Sequence, residues 1–181
     1  MTEQYSFETL LSREELAAKV AELGAQITED YRDKDTVFMG ILKGCFVFMA
    51  DLVRQVKIDR LEVCFMAVSS YGSGTRSTGN IVIKRDLEAD LTGKHVLIVE
   101  DIVDSGHTLT YLKKYLSNRQ TASVKVCTIL DKPSRRETDL VPDYRGFEIP
   151  DAFVVGYGLD YDEQFRELPD LCILHRNGEK A

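Results

Sequence analysis

The sequence predicts an α/β protein whose central, mostly parallel sheet is flanked by helices, and two observations carry that prediction. Apolar runs of strand length recur along the chain at Thr36–Leu42, Leu61–Ser69, Val96–Val99 and Ser123–Leu130. Two of them are followed by helical spacing of apolar residues. Phe46, Met49, Leu52, Val53 and Val56, expected to face inward, follow the first, and Leu109, Leu112 and Leu116 follow the third. Val96-Leu97-Ile98-Val99 has no polar side chain to turn toward water, the mark of a strand buried on both faces.

With 181 residues the chain is expected to form a single domain, 1–181, with a substantial core. At 44% hydrophobic and 29% charged it has a soluble globular composition, and no apolar run approaches membrane-spanning length. The polar, acidic N-terminus is no signal peptide. Cys45, Cys64, Cys127 and Cys172 lie in separate apolar runs with no C-x-x-C pair, so they read as reduced core cysteines of a cytoplasmic protein. A net charge of −7 argues against a nucleic-acid partner, and it means that a polyanionic substrate must be met by local Lys, Arg and metal.

In chain order, Ser12-Arg13-Glu14-Glu15 has the form of a capping box, and Leu16, Val20, Leu23 and Ile27 then mark one face of a helix over 13–31. Strand 36–42 runs into Lys43-Gly44 and a helix, a junction that favours anions. The next strand, 61–69, carries Val63, Phe65 and Ala67 on one side. Ser70-Tyr71 opens a small, polar stretch to Gly79 with three glycines, which reads either as a hairpin tip or as a lid that shuts water out. Asn80–Ile83 returns as a strand, and Asp90–Lys94 turns the chain into the central one.

That strand leads into Glu100-Asp101-Ile102-Val103-Asp104-Ser105-Gly106-His107-Thr108, where the candidate chemistry concentrates. In an open α/β sheet, ligands bind outside the carboxyl ends of the strands, where Glu100 and Asp101 are expected. The turn Asp104–Thr108 opens a helix whose free N–H groups suit a phosphate. Ser105 and Thr108 add hydroxyls, and Gly106 permits close approach. A phosphate dock beside acceptor-only carboxylates suits a sugar phosphate, and Mg²⁺ can bridge such carboxylates to substrate oxygens. The bland alternative is a pair of solvated strand-end acids with Asp104 as a helix cap.

Farther along, strand 123–130 ends at Asp131-Lys132-Pro133-Ser134-Arg135-Arg136, with Lys132 placed among the strand-end groups unless this is merely a surface turn. Ala152–Gly156 reads as a short strand whose Phe153 is either core or a stacking face for a flat base. Leu171–His175 reads as a last strand, and His95 and His175, which follow no ligand spacing, read as structural.

These motifs resemble, in order, those of the type I phosphoribosyltransferases. The loop from Glu100 to Thr108 looks like that family's phosphoribosyl diphosphate (PRPP) loop, and Leu42-Lys43-Gly44 looks like its pyrophosphate loop. Ser70-Tyr71 resembles the start of its mobile lid. Phe153-Val154-Val155-Gly156-Tyr157-Gly158-Leu159-Asp160-Tyr161 with Phe165-Arg166 is similar to its hypoxanthine-guanine branch. The resemblance implies transfer of a phosphoribosyl group from PRPP to a 6-oxopurine in purine salvage, with Mg²⁺. It implies a small hood built from the chain termini, and a homo-oligomer, dimer or tetramer. Glu100 and Asp101 would hold ribose and metal, and Asp104 would act as general base. Lys43, Gly44 and Arg166 would meet pyrophosphate. Lys132 would donate to the purine oxygen, Phe153 would stack, the Val154 backbone would read the base edge, and Asp160 would help hold a second Mg²⁺. A cis peptide is implied between Leu42 and Lys43. His107 departs from the family, whose members often carry Asn or Lys there, so its backbone N–H is the expected binding group. The competing reading is a PRPP-sensing regulator of nucleic acid on the same fold.

Overall fold

The computed structural model describes residues 5–70, 81–85, 87 and 89–176. Its first half contains β1 (Tyr5–Leu11), α1 (Arg13–Tyr31), β2 (Thr36–Leu42), α2 (Phe46–Gln55), β3 (Leu61–Ser70) and β4 (Ile81–Arg85). The second contains β5 (His95–Val103), α3 (His107–Ser117), β6 (Ser123–Asp131), β7 (Tyr144–Glu148), β8 (Val154–Val155) and β9 (Leu171–Arg176), with one 3-10 turn at Pro133–Arg135. Six strands form the main sheet in the order β4-β3-β2-β5-β6-β7, parallel throughout except for antiparallel β4. A second, antiparallel sheet, β1-β9-β8, is the expected hood drawn from both ends of the chain.

Alternation along the strands builds a core on each face of the main sheet. Phe38, Leu97, Val99 and Cys127 pack with Leu16, Val20, Leu23 and Ile27 of α1 and Phe48, Met49 and Leu52 of α2. Their neighbours Val37, Met39, Val96, Ile98 and Val126 pack with Leu109, Leu112 and Leu116 of α3. This two-sided burial is why the strands read as unbroken apolar runs.

From β2 the chain crosses through α2 to β3 on one side, and from β5 it crosses through α3 to β6 on the other. The two strands therefore flank the point where the winding reverses. Their pairing stops at Gly40–Val99, yet β5 continues beside β6 to Val103–Asp131. Beyond Val99 the strands part, and a crevice opens between them.

Several expectations need correction. Glu100 and Asp101 belong to β5 itself, because its ladder to β6 continues past them. Phe46 starts α2 and is exposed; Phe48, not Phe46, joins Met49 and Leu52 inward, and Val56 lies past the helix end. Val63 and Phe65 share a side of β3 as expected, but it is largely uncovered, and Met66 is the strand's fully buried residue. Around Val154 the strand is only two residues long, since Gly156 at φ 93° turns the chain away. Ser70 ends β3, whereas Tyr71 and the stretch to Gly79, read as tip or lid, lie outside the described residues, as does Asn80 of the returning strand.

The capping box forms as expected. The Ser12 N–H donates to Glu15 Oε2 at 2.8 Å, and the Glu15 N–H donates to Ser12 Oγ at 3.3 Å. Ser12→Ala should lower the urea unfolding midpoint by roughly 0.5 M without changing activity, as expected for the loss of one N-cap.

Candidate active site

A cleft of about 870 Å³ occupies the crevice. From the end of β2 come Lys43 and Gly44, with the Leu42–Lys43 peptide cis as expected. Across from them stands Asp101. A Cβ on Gly44 would lie 1.6 Å from Asp101 Oδ2, so only glycine admits the carboxylate here. Asp101 Oδ1 accepts the Ile102 N–H at 2.9 Å. Burial pushes its pKa from 3.8 up to about 6, outweighing backbone hydrogen bonds and the attraction of Arg166.

Successive strand residues face opposite ways, and Glu100 accordingly lines a separate pocket of about 100 Å³ beneath the turn Ser105–Thr108. Burial, then the neighbouring Asp101, pushes its pKa well above the usual range. Its Oε2 is buried and has no hydrogen-bond partner among the described residues. Above it, Gly106 at φ 87° caps α3, and the Thr110 N–H donates to its carbonyl at 3.0 Å. Among the described residues, the N–H groups of Ser105, Gly106, His107 and Thr108 reach no acceptor. Ile102 and Asp104 line both pockets, which are therefore contiguous.

Three cations of the cleft are already engaged by acids. Lys43 Nζ meets Glu163 at 2.9 Å, while Arg166 meets Asp160 at 2.8 Å, Glu163 at 3.2 Å and the Gly158 carbonyl at 2.9 Å. Hydrogen bonds from Lys43 and then Arg166 hold the Glu163 carboxyl below its ordinary pKa. Asp160 also accepts the Glu163 N–H at 2.8 Å. Arg135 Nε sits 3.1 Å from Asp104 Oδ1, and its Nη1 sits 3.3 Å from Asp151.

At the far end, buried Lys132 donates to the Ala152 carbonyl at 2.6 Å, and burial lowers its pKa. Phe153 is exposed at the cleft, edge-on to Tyr161 with ring centroids 5.7 Å apart; Val154 beside it is buried. The structure thus gathers Lys43, Gly44, Asp101, Asp104, Lys132, Phe153, Val154, Asp160 and Arg166 around one cleft, and Glu100, Ser105, Gly106 and Thr108 around the adjoining pocket. His107 stands apart, its Nε2 2.7 Å from Glu137 Oε2. Among the described residues no three His, Cys, Asp or Glu side chains converge as a ready metal cage. Sequence reasoning missed Glu163, Arg135, Arg136 and Asp131. The charged run Asp131–Arg136 directly behind a strand end was the available signal.

A sheet that opens at its reversal point onto a turn of unengaged amides, with acids on either side of the strand, has the features of a sugar-phosphate transferase. The chain belongs to the phosphoribosyl transferase domain family, which matches residues 6–162. Over 168 residues it is 51% identical to the hypoxanthine phosphoribosyltransferase of Escherichia coli (strain K12), covering 92% of this chain and 94% of that one. The hypoxanthine-guanine phosphoribosyltransferase of Bacillus subtilis (strain 168) is 50% identical over 165 residues, 91% of each chain. A crystal structure of a hypoxanthine phosphoribosyltransferase from Staphylococcus aureus is similar at a TM-score of 0.90 and 46% identity, covering 93% of this chain and 91% of that one.

The raised Asp101 pKa has a measurable consequence. Between the ordinary value of 3.8 and about 6 the folded protein keeps a proton that the unfolded chain has released, so stability falls as pH rises across that window. In chelator, the melting temperature of the wild type should fall relative to Asp101→Asn from pH about 4 to about 6, the gap then staying constant. Parallel curves would return Asp101 to the ordinary range.

Proposed function

We propose that this chain transfers the phosphoribosyl group of PRPP to hypoxanthine and guanine, giving IMP or GMP and pyrophosphate. The observation that carries this is the pair of contiguous pockets: one under four unengaged amides, the other ending on Lys132 and exposed Phe153. The 5′-phosphate belongs under the turn, where the amides and the α3 dipole favour it. The ribose then spans the end of β5 with Glu100 on one side and Asp101 on the other, each accepting hydroxyl protons. Pyrophosphate points toward Lys43 and Arg166, and the purine lies against Phe153 with its 6-oxygen toward Lys132.

The partners fit Mg²⁺, which takes one or two carboxylates together with phosphate oxygens and water. The buried, unpartnered Glu100 oxygen and the raised Asp101 pKa are what a site awaiting a cation would show. Bound there, Mg²⁺ would neutralise charge growing on pyrophosphate, and Asp160 would contribute to a second ion once Arg166 releases it. In the reaction the purine N9 bonds to C1′ as the bond from C1′ to pyrophosphate oxygen breaks. Asp104, at the junction of the two pockets, takes the proton from N7. Lys43 and Arg166 stabilise the leaving group, and the two strand acids face the oxocarbenium-like ribose. A charged lysine only donates, so Lys132 suits a 6-oxo group and has nothing to accept from the amino group of adenine.

Assembly into a dimer or tetramer would cover the exposed side chains of Phe46, Val63 and Phe65. The four free thiols fit the reducing cytoplasm.

Pyrophosphate release with PRPP, Mg²⁺ and each of four purines tests the reading. Hypoxanthine and guanine should turn over and adenine should not, with xanthine defining the 2-position preference; no release with any base would end the assignment. Asp104→Asn should cut turnover by about 10²–10⁴-fold while PRPP still binds, since only proton transfer is lost. In a competition assay, Lys132→Ala should narrow the preference for hypoxanthine over adenine, and an unchanged preference would remove its role.

A further inference from the structure

The segment after β6 does more than carry Lys132. It meets the turn after β5 carbonyl by carbonyl. The Lys132 N–H donates to Val103 O at 2.9 Å, the Arg136 guanidinium to Asp104 O at 3.0 Å, and the Glu137 N–H to Ser105 O at 3.0 Å. The Thr138 hydroxyl adds a donor to Ser105 O at 3.4 Å. In a trans peptide the carbonyl and the following N–H share one plane and point in opposite directions. Drawing the carbonyls of Asp104 and Ser105 toward this segment therefore aims the N–H groups of Ser105 and Gly106 the other way, away from the brace.

Of these contacts, the one made by Arg136 is the side chain anchored at both ends. It forms an ion pair with Asp131, whose side chain is 2% exposed, while its own is 12% exposed. The turn lies flat against this brace. A Cβ on Gly106 would come within 2.3 Å of Thr138 Oγ1 and 3.1 Å of Arg136 Cδ. The reaction described above makes no use of this buried pair.

We propose that Arg136 is a positioning residue for the 5′-phosphate: anchored by Asp131, it fixes the peptide after Asp104 so that its N–H faces the ligand. The proposal rests on the reading of the turn as the sugar-phosphate site. Arginine is required because one fork must hold a carboxylate and a carbonyl together, which a lysine ammonium does less well. Without it the carbonyl is free to rotate toward the phosphate, replacing a donor with a repelling acceptor.

Ribose 5-phosphate carries the 5′-phosphate alone, and pyrophosphate carries only the other end of the substrate. Inhibition by each is measured against PRPP for the wild type, R136A, R136K and D131N, with folding checked by circular dichroism. R136A should weaken ribose 5-phosphate and raise the KM for PRPP together by about tenfold, the loss of one hydrogen bond serving a charged ligand. Pyrophosphate inhibition and the KM for hypoxanthine should stay within about twofold, and D131N should shift in the same direction as R136A. Millimolar methylguanidine should restore ribose 5-phosphate binding to R136A. Equal ribose 5-phosphate affinity in the wild type and folded R136A overturns the proposal, as does equal weakening of both inhibitors. If R136A does not fold, R136K is read by the same two criteria. Failure of the wild type to bind ribose 5-phosphate overturns instead the reading of the turn, and the proposal with it.

Discussion

Three segments of chain meet at Gly44 with no space for a side chain. The Asp101 carboxylate fills the position its Cβ would take, and on the other side Gly158, at φ 99°, brings the segment leading to the hood against the Gly44 carbonyl. A Cβ on Gly158 would lie 2.3 Å from that oxygen. The floor of the cleft is therefore backbone and carboxylate packed to contact, and the charged groups around it inherit their positions from it. Lys43 precedes Gly44, Asp101 abuts it, and Arg166 is tied to the Gly158 carbonyl at 2.9 Å. Tyr157, Asp162, Glu163 and Phe165 also have positive φ, so the segment carrying Asp160 and Arg166 is wound through conformations that L-residues seldom adopt. Such conformations persist where surrounding contacts over-determine them, and the Gly44 junction supplies those contacts.

The electrostatics follow from the same geometry. An acidic chain of net charge −7 has to receive a polyanion, and its solution is local exchange. Three cations of the cleft are paired with internal acids: Lys43 with Glu163, Arg166 with Asp160 and Glu163, Arg135 with Asp104 and Asp151. In the proposed reading an incoming diphosphate would substitute for carboxylates that are already there, so these three cations would need no large movement. Buried Glu100 and Asp101 present the opposite case, acids with too little compensation, and in the proposed reading ribose hydroxyls or a cation would relieve that cost.

Much of this was legible in the sequence because it rests on local rules. The apolar face of α1, its capping box and the buried run of β5 are periodicities and short-range contacts, and they formed where the residues indicated. What failed depended on neighbours distant in sequence. Whether Phe46, Val63 and Phe65 are covered depends on where α2 lies across the sheet. That Glu100 and Asp101 face different pockets follows from β5 continuing beside β6 after leaving β2, a matter of register. Lys132 stood out because it follows a strand end and resembles the purine-contacting lysine of the family. Arg136, four residues on, works by reaching a carbonyl 32 residues earlier, and no spacing announces that.

The hood has a consequence for how the enzyme comes into being. Its central strand, β9, pairs with β1 across the whole described chain, Tyr5 opposite Arg176, and also with β8, which follows Phe153. A nascent chain leaving the ribosome can assemble β2 through β7 and both sheet faces while that strand is still in the exit tunnel. That side of the cleft stays unfinished until β9 emerges, so in the proposed reading a chain stalled before that point would fold extensively yet remain unable to grip a purine.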